Sequence, residues 1–163
     1  MKEILLHSET VTPMVCTYEE CRYYTRNFAR SFYFSSYLLP KEKRNAAYAV
    51  YTFCRYADNI VHNHDACNSI NIRAKFGYLE EFLNDVYGGR TFSGAGFSAF
   101  AHTVRKYSIP KQYFLELIEG VCMDIEHTRY GTIAELENYC YKVASVVGLI
   151  MTHIFGYSHK AAL

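Results

Sequence analysis

Apolar residues recur every three or four positions along most of the chain, which is the spacing of one face of an α-helix. Two capping boxes, Thr17-x-x-Glu20 and Thr132-x-x-Glu135, predict helix starts at Tyr18 and just after Thr132. Proline is favoured in the first turn of a helix, so Pro40 and Pro110 predict two more helix starts. No segment shows the strict alternation of a half-buried strand. The pattern therefore predicts an all-α helical bundle.

The predicted helices divide the chain into one domain and a short arm. Residues 1–16 show no periodicity and are predicted to be a loose N-terminal arm, with a single domain over 17–163. The aromatic segment 31–39 fits no pattern clearly. The last helix is polar at its start and almost wholly apolar after Lys142, which predicts burial on most of its sides. The predicted helices cover residues 18–29, 40–61, 70–87, 97–107, a stretch beginning at 110, and 132–155.

Composition narrows the class of protein. The chain has 163 residues, of which 50% are hydrophobic and 20% charged, and this excludes intrinsic disorder. Lys and Arg number 17 against 16 Asp and Glu, so a net charge of +1 gives no bulk attraction to nucleic acid. There is no signal peptide, no C-x-x-C pair and no apolar run long enough to span a bilayer. These features predict a cytoplasmic protein without nucleic-acid partners.

A stripe of polar residues runs along the helix that follows Pro40. Its members are spaced 4, 3, 4, 3 and 4 positions apart, which places them on one helical face. One interpretation is a solvated face with charge pairs. The other is a polar cavity, in which a carboxylate beside a guanidinium would suit a phosphate bridged by Mg²⁺. The stripe consists of Arg44, Tyr48, Tyr51, Arg55, Asp58 and His62.

Small residues on the last helix also allow two interpretations. Ala144, Gly148 and Thr152 form a ridge at i, i+4 and i+8. They would allow a neighbouring helix to pack closely, or they would leave room for a long apolar ligand. Asp124, one turn after Gly120, either faces the same cavity or is an ordinary surface acid.

Two segments resemble signature sequences of the squalene/phytoene synthase family. The first, residues 29–61, is ARSFYFSSYLLPKEKRNAAYAVYTFCRYADNIV, and the second, residues 120–157, is GVCMDIEHTRYGTIAELENYCYKVASVVGLIMTHIFGY. They occur in the family's order and spacing, and the resemblance covers nearly the whole chain from about Tyr18. It implies the isoprenoid synthase fold and a head-to-head condensation of two prenyl diphosphates, farnesyl or geranylgeranyl, with Mg²⁺ as cofactor.

The resemblance also implies roles for particular residues. Asp58 matches a Mg²⁺ ligand, Arg55 a diphosphate contact, and Tyr51 a contact near the reacting centre. Further matches fall on substrate-binding positions: a diphosphate-contacting turn with its aromatic wall (Arg30, Ser31 and Phe32), and the lining of the prenyl channel (Tyr139, Val143 and Val147).

The chain departs from the family pattern at two points. The first acidic motif, D-x-x-x-D in the family, reads Asp58-Asn-Ile-Val-His62, and imidazole is a poor ligand for Mg²⁺. The family's second acidic motif is missing, which predicts a fold incomplete at the C-terminus and weak or no activity. The alternative is a non-catalytic family member acting in interaction or assembly. Peripheral membrane contact and self-association through an exposed apolar channel are further expectations.

Overall fold

The computed structural model describes residues 17–62, 69–89, 98–126 and 129–162, and most of these residues are helical. These ranges contain no β-strand, as the periodicity predicts, and the all-α fold is confirmed. The predicted arm over 1–16 lies outside them. The α-helices are α1 (Tyr18–Phe28), α2 (Arg30–Ser35), α3 (Lys41–His62), α4 (Ser69–Tyr87), α5 (Ser98–Lys106), α6 (Lys111–Glu126), α7 (Ile133–Cys140) and α8 (Val146–Phe155).

Local sequence signals fix the helix starts. The Thr17 side chain accepts a hydrogen bond from the backbone N–H of Glu20, and the Glu20 carboxylate accepts one from the backbone N–H of Thr17. The same reciprocal box joins Thr132 and Glu135 before α7. Helix α3 begins directly after Pro40. Each box satisfies backbone N–H groups that a helix start leaves unpaired, which explains why these predictions are confirmed.

The aromatic segment whose structure the pattern left undecided forms α2 and a 3₁₀ turn, Ser36–Leu38. Ala29 separates it from α1 with a non-helical φ of −139°. Tyr33 is the buried residue of α2, and its ring stacks on that of Tyr48 with centroids 5.5 Å apart. Helices α1 and α2 therefore pack on α3 as a small second core beside the main one.

Helix α3 is the centre of the bundle. The ring of Phe53 stacks on Phe100 of α5 at 4.4 Å and meets Phe114 of α6 edge-on at 5.4 Å. Tyr48, which the sequence placed on a polar stripe, is fully buried, and its hydroxyl donates to the carbonyl oxygen of Tyr33 at 3.3 Å. The stripe is therefore not one solvated face, because Tyr33 of α2 covers Tyr48.

The predicted last helix is neither uniform nor buried on most sides. Its helical backbone runs from Ile133 to Phe155, but Tyr141–Ser145 is a π-helical turn between α7 and α8. In α8 only one face is buried, formed by Val146, Ile150 and Ile154, and α7 buries none of its residues. The prediction of burial on most sides is wrong, because nothing in the described part of the chain covers the opposite face.

Within the described ranges, no helix has both the length and the apolar character needed to cross a membrane.

A glycine brings α6 against the π-helical turn. A Cβ atom at Gly120 would lie 2.7 Å from the Cβ of Lys142 and 2.9 Å from Cγ1 of Val143. The Lys142 amine forms an ion pair with Glu119 at 2.6 Å beside this contact. Because the two backbones approach so closely, side chains from α6 and from the π-helical turn can line one cavity together with α3.

Candidate active site

A cavity of about 220 Å³ opens between α3, α6 and the helical segment 133–155. We call it the α3/α6 cavity. Helix α3 contributes its polar side, α6 contributes an apolar strip ending in a carboxylate, and the third wall carries one tyrosine and two valines. Its lining residues are Tyr51, Cys54, Arg55, Asp58, Leu117, Val121, Asp124, Tyr139, Val143 and Val147.

An ion pair occupies the α3 wall of the cavity. The Nη1 atom of Arg55 donates to Oδ2 of Asp58 at 2.7 Å, across one turn of the helix. The two side chains are 43% and 29% exposed, so solvent and ligands can reach both. The guanidinium has five N–H donors in a planar fork, and one contact with Asp58 leaves others available to an anion.

Tyr139 and Asp124 face this pair from the other walls. The Tyr139 hydroxyl is hydrogen-bonded to the Asp124 carboxylate. Burial, this hydrogen bond and the negative charges of Asp124 and Asp58 raise the pKa of Tyr139 to about 12. The phenol is therefore protonated at neutral pH and donates to Asp124. The ring of Tyr130 packs against Tyr139 with centroids 5.0 Å apart and limits the movement of Tyr139.

The rest of the lining is apolar. Leu117 and Val121 of α6 face Val143 and Val147 across the cavity. Beside them, a Cβ atom built at Gly148 would meet nothing within 4 Å. In the described part of the chain, the small-residue ridge is therefore open at Gly148, and this leaves space next to the cavity.

Cys54 contributes a neutral thiol to the wall. Burial raises its pKa to about 12, so at neutral pH it is not a thiolate nucleophile. It lies one residue before Arg55 and closes the cavity on the side of the main core.

The structure brings some of the predicted site residues together and separates others. Tyr51, Arg55 and Asp58 line the α3/α6 cavity with the three predicted channel residues, Tyr139, Val143 and Val147. Phe32 lies next to them, because its ring centroid is 5.7 Å from that of Tyr51.

Arg30 and Ser31 do not line this cavity. Arg30 lies in a separate groove between α1 and α2, and Ser31 is exposed on α2. His62 is the last residue of α3, and its side chain is outside the described part of the structure. The roles that the family resemblance implies for these residues stay predictions.

The sequence left the role of Asp124 undecided and gave no sign that Cys54 lines the cavity. A signal for Asp124 was present, because Leu117, Val121 and Asp124 at i, i+4 and i+7 share one face of α6. What the spacing could not give was the direction of that face, which depends on the close approach at Gly120.

Comparison with known proteins gives a consistent result. A family model described as squalene/phytoene synthase matches residues 25–163. The 15-cis-phytoene synthase of Synechococcus elongatus is 35% identical over 139 residues, which are 85% of this chain and 44% of that protein. The chloroplastic phytoene synthase of Daucus carota is 35% identical over 140 residues, or 85% of this chain and 34% of that protein. The chain thus spans less than half the length of these curated relatives.

Solved structures show the same fold. The squalene synthase HpnC from Alicyclobacillus acidocaldarius superimposes with a TM-score of 0.76 at 30% identity, covering 88% of this chain and 53% of that one. A dehydrosqualene synthase crystallised with a ligand gives a TM-score of 0.73 at 28% identity, covering 84% of this chain and 46% of that one. With the family model matched over most of its length, the chain belongs to the squalene/phytoene synthase family.

Proposed function

We propose that the α3/α6 cavity binds the diphosphate end of a prenyl diphosphate and that this chain supplies one half of a head-to-head prenyl synthase site. The observation that carries the proposal is the combination found in one cavity. The Arg55–Asp58 pair lies opposite an apolar wall that includes Val121 and Val143. An anionic head with a hydrocarbon tail requires both surfaces side by side.

The size of the cavity indicates how much of the substrate enters it. Its volume of about 220 Å³ is below the range of about 300–1,000 Å³ usual for ligand pockets. We therefore place the diphosphate and the first part of the prenyl chain inside. The remaining tail would follow the open space beside Gly148, past Val147. The proposal covers farnesyl and geranylgeranyl chains, because that side of the cavity is open.

The donor set suits the Mg²⁺ that the family uses. Magnesium is bound through one or two carboxylates together with substrate phosphate oxygens. Asp58 offers one carboxylate and Asp124 a second from the facing wall. No group of three His, Cys, Asp or Glu side chains able to hold a metal occurs among the described residues, so the diphosphate itself would complete the coordination. When bound, the ion would act as a Lewis acid that withdraws charge from the departing diphosphate.

The side chains of this chain would perform the remaining tasks. Arg55 would turn its fork from Asp58 to the diphosphate oxygens, where two parallel hydrogen bonds fix the orientation of the leaving group. Tyr139, held protonated, would present a neutral ring and hydroxyl near the reacting carbon. The valines at 121, 143 and 147 would exclude water from the positive charge that develops on the prenyl chain.

We further propose that the chain by itself has weak or no synthase activity. Its sequence contains one of the family's two acidic motifs, and that motif has His62 in place of the second carboxylate. The alternative proposal is a non-catalytic role in interaction or assembly. The exposed apolar residues of α7, Ile133 at 76% and Leu136 at 44%, favour it as a surface for another polypeptide. The cytoplasmic location stays a prediction.

Calorimetric titration with farnesyl diphosphate, with and without Mg²⁺, tests the proposal. We expect Mg²⁺-dependent binding that Asp58→Ala abolishes and that Asp85→Ala, a matched carboxylate change on α4, leaves unchanged. Arg55→Lys keeps the charge but loses the fork, and the loss of one hydrogen bond to a charged group weakens binding about tenfold or more. His62→Asp restores a carboxylate and should strengthen Mg²⁺-dependent binding. If Asp58→Ala and His62→Asp both bind like the wild type, the non-catalytic role is the better account.

A further inference from the structure

A second concavity, larger than the α3/α6 cavity, lies between α1 and α2 and has no role in the function proposed above. Its volume of about 760 Å³ is within the range of about 300–1,000 Å³ that is usual for binding pockets. We call it the arginine groove, because three arginines line it at intervals of four residues. The described residues that line it are Arg22, Tyr23, Arg26, Asn27, Arg30, Tyr33, Phe34 and Tyr37.

The composition of this lining is that of the centre of a protein interface. Arginine and aromatic residues are enriched there and contribute most of the binding energy, whereas lysine, glutamate and aspartate are depleted. Of the eight lining residues, all except Asn27 are arginines or aromatics, and none is acidic. The groove therefore combines positive charge with the side chains that polypeptides use to bind one another.

Large apolar side chains at the rim extend the surface. Phe34 is 79% exposed, and Leu38, four residues further on, is 93% exposed. The floor is different, because Tyr33 is only 7% exposed and lies between the two helices. A narrow chain segment can enter such a concavity and cover the rim at the same time. Exposed apolar groups bordered by polar ones are typical of sites where another molecule binds.

The arginines and tyrosines of the groove hold one another in place. The Nε atom of Arg22 donates to the Tyr33 hydroxyl at 3.2 Å, and the hydroxyls of Tyr33 and Tyr37 lie 3.2 Å apart. The guanidinium of Arg44 lies over the Tyr37 ring, 4.9 Å from its centroid. Because a guanidinium has five N–H donors, Arg22 keeps others for a ligand. Binding would order few additional side chains, which lowers its entropic cost.

We propose that the arginine groove binds an acidic segment of a partner polypeptide, with an aromatic or aliphatic side chain as its anchor. Carboxylates of the segment accept paired hydrogen bonds from the guanidinium groups of Arg22 and Arg26. The anchor packs against Phe34 and Leu38 at the rim. Charge complementarity sets the sign of the partner, because a lining with three cations and no carboxylate repels a basic segment.

Charge also argues against a second copy of the chain in the groove. A two-fold contact through this surface would bring the arginines of both copies together, without a carboxylate among the lining residues to compensate. An acidic segment supplies the compensating charge and the apolar anchor in one contact. The arginine groove is separate from the exposed face of α7, and the proposal does not depend on what the α3/α6 cavity binds.

Fluorescence anisotropy with a defined peptide tests the proposal on the full chain. The probe is a fluorescein-labelled peptide in which glutamate alternates with phenylalanine. One matched peptide has glutamine in place of every glutamate, and the other has serine in place of every phenylalanine. We expect saturable, salt-sensitive binding of the first peptide only. No saturable binding of that peptide, or equal binding of the glutamine peptide, would overturn the proposal.

Two pairs of charge variants locate the binding site. Arg22→Gln with Arg26→Gln should weaken binding about tenfold, because two partly exposed charge contacts are lost. Arg73→Gln with Arg129→Gln changes the net charge equally outside the groove and should leave binding unchanged. Equal losses in the two pairs would mean that only net charge matters. Arg30 is left unchanged, because the family resemblance implies another role for it.

A second comparison tests the apolar rim. Phe34→Ser with Leu38→Ser should lose binding, and Ile133→Ser with Leu136→Ser, on the exposed face of α7, should keep it. Displacement of the peptide by farnesyl diphosphate with Mg²⁺ would assign the groove to the substrate instead. A dimer of the free chain that the Phe34 and Leu38 changes dissociate in sedimentation would assign it to a second copy. Far-UV circular dichroism checks that each variant is folded.

Discussion

Substituting alanine for Gly120 perturbs the contact that shapes the candidate site. The new Cβ would lie 2.7 Å from the Cβ of Lys142, 2.9 Å from Cγ1 of Val143 and 3.3 Å from the carbonyl carbon of Lys142. Carbon atoms pack at about 3.5–4.0 Å, so the two helical segments must move apart. Because two of these contacts involve the backbone or its first side-chain atom, rotation of a flexible side chain cannot relieve them.

The expected change in the free energy of unfolding of Gly120→Ala is the sum of two opposing contributions. Forcing an extra methyl group into a well-packed contact costs about 1–3 kcal/mol. Replacing a helical glycine by alanine gains about 1 kcal/mol in helix propensity. Gly77→Ala in α4 should show only the gain in helix propensity, because a Cβ atom there would meet nothing within 4 Å. The free energy of unfolding should therefore differ between Gly120→Ala and Gly77→Ala by the overpacking cost, about 1–3 kcal/mol.

Urea unfolding of the two variants and the wild type measures this difference. We expect Gly77→Ala to be more stable than the wild type and Gly120→Ala to be less stable than Gly77→Ala. Gly120→Ala should also bind farnesyl diphosphate more weakly, because the displaced π-helical turn carries Val143 and follows Tyr139. Equal stabilisation by the two changes would refute the close approach and the cavity built on it.

Three further predictions concern individual side chains of the α3/α6 cavity. Asp124→Asn removes a negative charge beside Tyr139 and should lower the pKa of Tyr139. Ultraviolet titration of tyrosinate in the variant and in the wild type would detect this change. An unchanged titration would mean that Asp124 does not act on the phenol. The fold raises the pKa of Tyr139 from 10.0 to about 12, so the unfolded chain loses that proton first, and the free energy of unfolding should fall as the pH rises from 10 to 12. Tyr139→Phe should show a shallower fall over the same window, and identical slopes would contradict the shift. Cys54 is half-buried, and its pKa is raised to about 12, so it should react with iodoacetamide far more slowly than the exposed Cys140. Peptide mass spectrometry would show the difference, and comparable rates would contradict the raised pKa.

Much of the fold could be predicted because its signals are local. The two threonine-glutamate capping boxes and Pro40 set a helix start through residues that are within four positions of one another in the sequence. The helix starts can therefore be predicted from the local sequence alone. Helix α3 carries its apolar residues at helical spacing, which is sufficient to identify the face that enters the core.

Where the prediction failed, the cause was tertiary. By its spacing, Tyr48 belongs to the same helical stripe as Arg55 and Asp58. In the structure Tyr48 is buried because α2 packs over the start of α3, whereas Arg55 and Asp58 line the cavity. The apolar sequence after Lys142 predicted burial, but burial also needs a neighbour, and the described chain supplies one on a single face of α8. Spacing specifies which residues share a face and carries no information on what covers it.

The part of the candidate site that lies on a single helix could be predicted from the sequence, and the part that depends on how helices pack could not. Tyr51, Arg55 and Asp58 follow from the spacing within α3, whereas Asp124 required the relative orientation of two helices. The contribution of Gly120 was not visible in the sequence, since a glycine within a helical pattern indicates a weak helix position as readily as a close contact.

Photoaffinity labelling with a benzophenone-bearing prenyl diphosphate tests most directly whether the α3/α6 cavity is the substrate site. The wild-type chain is irradiated with the probe in the presence of Mg²⁺, and the labelled peptides are identified by mass spectrometry, with excess farnesyl diphosphate as competitor. We predict competable labels on Val121, Val143 and Val147. Competable labels in the separate groove between α1 and α2, at Tyr23 or Phe34, with none on those valines would contradict the account.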